Sequence, residues 1–128
     1  MKIAIISGSA GNGRCGVGDY SYELAQHLAL DADVHIYFDQ AYAPTDPPHP
    51  RLKTLNLHEV NGFSLFTLGQ ITEELRSGDF DIVHIQYPAK GYGTSLGPGF
   101  IPQNLSGMKS RSRLCVTLHE WTTSHPLR

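Results

Sequence analysis

Three stretches of the chain hold residues able to do chemistry, and each follows an apolar run. The first is "GSAGNGRCGVGD" (residues 8–19), rich in glycine and leading into a helical pattern. The second is Gln86 and Tyr87 with the Gly91-Tyr92-Gly93 turn behind them, and the third is His119, Glu120 and Trp121. Gly16 and Gly18 stand where a helix begins, so backbone amides there can approach an anion closely, which a Cβ would block. Asp19 falls in or just before the first turn, where a carboxylate suits the free amides and the positive end of the dipole, and it serves equally as a plain helix cap. His119 brings an imidazole, able to donate a hydrogen bond without carrying a full charge.

Other chemistries fit less well. Gly11, Gly13 and Gly16 match G-x-G-x-x-G, and Asp39 stands about where a ribose-binding acid belongs, so a nicotinamide-dinucleotide oxidoreductase is the alternative reading. That fingerprint needs its first glycine almost directly after the strand. Here "SGSA" separates Ile6 from Gly11, and the helical pattern starts near Gly16 or Val17. His84 and His119 suggest a zinc pair, but no third ligand has suitable spacing, so no metal is expected. His84 and His35 read as packed histidines. Ser7 and Ser95 lack the context of a nucleophile elbow. Cys15 and Cys115 have neither zinc spacing nor the density of a disulfide scaffold and read as free thiols.

The elements that must position these residues alternate. "KIAII" (2–6) is an apolar run suited to a strand covered on both faces. Val17, Ser21, Leu24, Ala25 and Leu28 form the inward stripe of a helix, and "DVHIYF" (33–38) is the next strand, completing a βαβ unit. Four prolines within residues 39–51 exclude a regular element and imply an extended surface connection. "LKTLNLH" (52–58) is a short strand. A helix follows from Ser64 to Ser77, with Gly78 in the place of a left-handed cap. "DIVHIQYP" (81–88) is a buried strand stopped by Pro88; a loop and a short helix around Ile101 to Leu105 lead to a last strand, "SRLCVTLHE" (112–120). The sum is an α/β, Rossmann-like, doubly wound parallel sheet, whose ligands bind beyond the carboxyl ends of the strands. The three chemical stretches meet at that edge.

Composition narrows the class. At 128 residues with 40% apolar side chains the chain can build one core, burying roughly two-thirds of its unfolded surface. A net charge of −2 without a basic cluster leaves nothing to attract nucleic acid or an anionic membrane face. The start "MKIAIISGSAG" is too short in its apolar run for a signal peptide or a membrane span, so the expected location is cytoplasmic.

"CGVGDYSYELAQHL", "FDIVHIQYP", "GYGTSLGPGFIPQNL" and "VTLHE" together resemble the amino-terminal domain of GT-B-fold glycosyltransferases of the retaining family four, from Met1 to about Pro126. In such enzymes two Rossmann-like domains face each other, the first on the acceptor side and the second holding the nucleotide sugar. The resemblance implies that residues 1–128 are a single acceptor-side domain, truncated and lacking the donor-binding partner domain. It implies that Gly16, Val17 and Gly18 present amides to the donor diphosphate and that His119 is the catalytic group. It puts Asp19, Gln86, Tyr87, Tyr92 and Gly93 on a sugar or polyol acceptor, since such ligands are held by planar polar groups and aromatic faces. No cofactor or metal is implied beyond the nucleotide-sugar substrate. Loose membrane association of the full-length enzyme is compatible with the same resemblance.

Overall fold

Ile3 to Ile6 are apolar at every position because both faces of their strand are covered. In the computed structural model, which describes residues 1–52, 54–93, 101–105 and 112–119, this strand is β1 (Lys2–Gly8), the middle of a five-stranded sheet. Helix α1 (Gly16–Leu28) follows, then β2 (Asp33–Asp39), β3 (Leu55–Val60), α2 (Leu65–Ser77), β4 (Ile82–Tyr87), α3 (Ile101–Leu105) and β5 (Arg113–Leu118). The strands lie in the order β3-β2-β1-β4-β5 and every pairing is parallel. The sequence therefore reverses direction across the sheet between β1 and β4, which is the switch point of a Rossmann-like doubly wound fold.

Alternation along β1 divides the core in two. Ile3 and Ile5 pack with Tyr22, Ala25 and Ala29 on and after α1, together with Val34, Ile36 and Phe38. Ala4 and Ile6 belong to the opposite layer, with Leu68, Ile71 and Leu75 of α2 and with Val83 and Ile85 of β4. Ser64 starts α2 as expected, its hydroxyl accepting from the Thr67 amide.

Several boundaries and details differ from the sequence expectation. Gly78 does cap α2, but in a right-handed conformation (φ −79°), and the left-handed residue is Asp79 (φ 53°). Glycine is required at 78 for space, since a Cβ there would lie 2.4 Å from the Phe80 ring and 2.8 Å from the Glu74 carbonyl oxygen. The proline-rich segment holds one turn of 3-10 helix, Gln40–Tyr42, formed before the first proline, with the Asp39 carboxylate accepting from the Ala41 amide. It is also fastened down: the Ala10 amide donates to the Tyr42 carbonyl and the Tyr22 hydroxyl to the Asp46 carbonyl. The apolar run around Cys115 is exposed: on the edge strand β5, Leu114, Val116 and Leu118 are all at least 42% accessible. Both cysteines are free thiols. Among the described residues no helix is long and apolar enough to cross a membrane.

Candidate functional site

β1 ends at Gly8 and α1 begins only at Gly16, so seven residues, 9–15, form the loop that carries the chain over the sheet edge. This length turns the amino end of α1 toward the carboxyl ends of β4 and β5. Between them lies a cleft of about 680 Å³, lined by Arg14, Cys15, Gly16 and Val17 on one side, Pro88, Ala89 and Lys90 on another, and His119 at the end of β5. That volume is in the range of small-molecule sites.

The α1 terminus is open to a ligand. Its first amides have no intrahelical acceptors, and the side chain of the N-cap residue Cys15 makes no capping hydrogen bond. A Cβ added at Gly16 would meet nothing within 4 Å, so the cleft reaches the backbone there. Arg14 and Lys90 flank this terminus from two different loops, adding two positive charges to the helix dipole. The Lys90 amide donates to Cys15 Sγ at 3.5 Å. Burial pushes the Cys15 thiol up, but that amide, the Ser9 hydroxyl and the amides of Gly18 and Val17 outweigh it and bring the pKa below its ordinary value. The field in this corner favours negative charge.

His119 is held from several sides. Its backbone amide donates to the Tyr87 carbonyl, its Nε2 lies 2.6 Å from Gln86 Oε1, and its ring meets the Tyr20 ring edge-on at 5.3 Å. Gln86 in turn reaches His84 Nε2 at 3.3 Å, and Thr117 Oγ1 lies 2.7 Å from the same nitrogen. Burial, and then the proximity of His119, lower the His84 pKa and keep that ring neutral. His84 is thus more than a packed histidine; it is the next member of a polar chain behind His119.

Of the residues singled out from sequence, Gly16, Val17 and His119 come together on the cleft. Gly18 lies behind it, where glycine is demanded by the loop: a Cβ would stand 2.1 Å from Ser9 Oγ. Asp19 does not cap α1, because its carboxylate accepts from the Gly13 amide at 3.0 Å and closes the glycine loop instead. Gln86 and Tyr92, at 0% and 4% exposure, sit beneath the surface rather than on it, and a direct contact with an acceptor is closed to them in this conformation. The Tyr92 hydroxyl lies 2.8 Å from the Ile6 carbonyl and 2.9 Å from that of Gln86, tying β1 to β4. Tyr87 is half-buried with its ring over that of Tyr92, and Gly93 is exposed with φ 57° after a 3-10 turn, Lys90–Tyr92. Glu120, Trp121 and Ser95 lie outside the described residues.

Two residues of the dinucleotide alternative, Gly11 and Asp39, serve the fold's own loops. Gly11 (φ 53°) lies against Tyr22, whose ring a Cβ would meet at 2.3 Å, and Asp39 caps the 3-10 turn. Arg14, Lys90 and Tyr20 were not anticipated. Their only signal is position, two of them basic and next to the turns that follow β1 and β4. Among the described residues no group of three or more histidine, cysteine or acidic side chains is placed to hold a metal ion.

No protein-family model matches the chain, and no curated protein matches it at a significant level. The geometry establishes a Rossmann-like domain with a cleft at the strand carboxyl ends, where this fold binds nucleotides and cofactors.

Proposed function

We propose that the chain is the amino-terminal, acceptor-side domain of a retaining GT-B-fold glycosyltransferase, acting when joined to a domain that grips the nucleotide. The observation that supports this best is the convergence, on one cleft, of the open α1 terminus, Arg14, Lys90 and His119. A diphosphate set against Gly16 and Val17 gains negative charge as the sugar–oxygen bond breaks. Fixed amides and two cationic side chains meet that charge without reorganising, so they favour the transition state over the ground state. His119, at the end of β5, is the group left for the transferred sugar. The acceptor approaches from the side of Tyr87 and Gly93, the acceptor candidates that keep accessible surface near the β4 end.

Half a cleft holds its reactants poorly, and attack geometry supplies roughly 7 to 11 kcal/mol of barrier reduction in a complete site. The chain alone is therefore expected to bind uridine, guanosine and adenosine diphosphate sugars only weakly, at millimolar concentration, and to transfer nothing. Calorimetric titration and a nucleotide-release assay test this. Backbone amide spectra recorded during the same titration should move Gly16 and Val17 first. Micromolar affinity or turnover by this chain would overturn the acceptor-side assignment. A nicotinamide fluorescence change on adding dinucleotide would favour the oxidoreductase reading.

A further inference from the structure

We propose that Gln86 is the positioning residue for His119, its buried carboxamide fixing the tautomer in which the imidazole carries its proton on Nε2. The inference rests on the proposed function only in giving His119 a ligand to meet. Gln86 is fully buried, so whatever it does for a ligand passes through another side chain. Its Oε1 accepts from His119 Nε2 at 2.6 Å, and its Nε2 faces His84 Nε2 at 3.3 Å. The two lengths identify the ends of the amide. The short contact suits N–H···O, whereas reversing the amide would press two nitrogens to the shorter distance.

The carboxamide has little freedom to turn. The main-chain carbonyl of Gln86 accepts from the buried Tyr92 hydroxyl, which fixes the backbone that carries it, the side chain is fully buried, and His84 is anchored from β5 by Thr117. The Gln86 amide nitrogen lies on the His84 side, which leaves Oε1 for His119. His119 then donates from Nε2 into the protein, and among the described residues nothing engages its Nδ1. A neutral His119 can accept a hydrogen bond at Nδ1 but has no proton left to give there. It suits a ligand hydroxyl, and it serves a phosphate oxygen as donor only once protonated. This revises the expectation that the neutral ring donates.

Long-range proton–nitrogen spectra of the chain labelled with ¹⁵N-histidine read the tautomer directly and require no ligand, so they stand apart from the fate of the glycosyltransferase reading. In the wild type at neutral pH, His119 should show a protonated Nε2 and an unprotonated Nδ1. Gln86→Leu should release it to a mixture of tautomers, and Gln86→Glu, which keeps an acceptor, should restore the Nε2–H form. A wild-type ring protonated on Nδ1, an even mixture, or a tautomer unmoved by Gln86→Leu would overturn the proposal. If Gln86→Leu fails to fold, the wild-type spectrum decides.

Discussion

Gly91 rests on Gly8: a Cβ built on Gly91 would lie 1.5 Å from the Gly8 carbonyl oxygen and 2.2 Å from its carbonyl carbon. The turn after β4 is therefore pressed against the last residue of β1, with backbone against backbone. This contact brings Lys90 and Tyr92 over the switch point.

No rotamer relieves that contact. Gly91→Ala is expected to destabilise the fold by at least about 3 kcal/mol, at the upper end for overpacking, because one of the two main chains has to move. Denaturant unfolding checks it, against Gly16→Ala as a control for an added Cβ that meets no atom. Equal stability of Gly91→Ala and wild type would contradict the close approach.

Acid should weaken the fold. His58, stacked on Tyr37 at 4.4 Å, has its pKa lowered from the ordinary 6.5, first by burial and then by His35. His84 is shifted the same way by burial and by His119. For a base whose folded pKa is depressed, the unfolded chain binds more protons at acidic pH. The stabilisation is complete above the unfolded value and is lost as pH falls from there toward the folded one. The melting temperature should be flat above about pH 7 and several degrees lower near pH 5.5, with His58→Gln flattening part of the slope. A rising melting temperature on acidification would contradict the assignment.

The central strands were legible because burial on both faces leaves an unbroken apolar run, as in Ile3–Ile6 and in Ile82–Ile85, where His84 alone interrupts it. Edge strands gave weaker signals, and β3 starts three residues later than the pattern suggested. That Gly16, Val17 and His119 share one cleft was legible because the fold gathers the strand carboxyl ends and the start of α1 at one edge. Gln86 was misjudged for a related reason: β4 continues to Tyr87, so Gln86 is still inside the sheet, pointing to the side of His84 two residues before it. Arg14 and Lys90 were hidden because an exposed basic residue in a loop belongs to no period. Only the fold shows that two such residues, far apart in sequence, share a cleft.

Arg14 and Lys90 provide a test independent of turnover. Each is exposed, so neither should matter to stability, and Arg14→Ala with Lys90→Ala should melt within a degree or two of wild type. Their shared effect should fall on anions: affinity for pyrophosphate is expected to drop about tenfold, the size of one lost charge-assisted hydrogen bond. Raising the salt should erode wild-type binding more than that of the double variant. Unchanged pyrophosphate binding would remove the electrostatic basis of the site.

The strongest prediction on function concerns His119, because its effects on fold and on ligand can be separated. Its ring bonds to Gln86 at one nitrogen and meets Tyr20 at one edge, while its backbone amide holds the Tyr87 carbonyl whatever the side chain is. His119→Ala should therefore keep the sheet intact, at the modest cost of leaving Gln86 Oε1 without its donor. On the proposed transferase reading, with the chain joined to a donor-binding domain, the same change should lower kcat on the order of a hundredfold or more, as loss of one preorganised group at a reacting centre does. His119→Asn separates position from chemistry, since a carboxamide can still bond to Gln86 but offers no imidazole nitrogen. If Asn restored stability without restoring kcat, the ring itself would be engaged at the sugar. If both variants turned over at the wild-type rate, His119 would be a structural residue, and the cleft would retain its two basic side chains with no reacting group beside them.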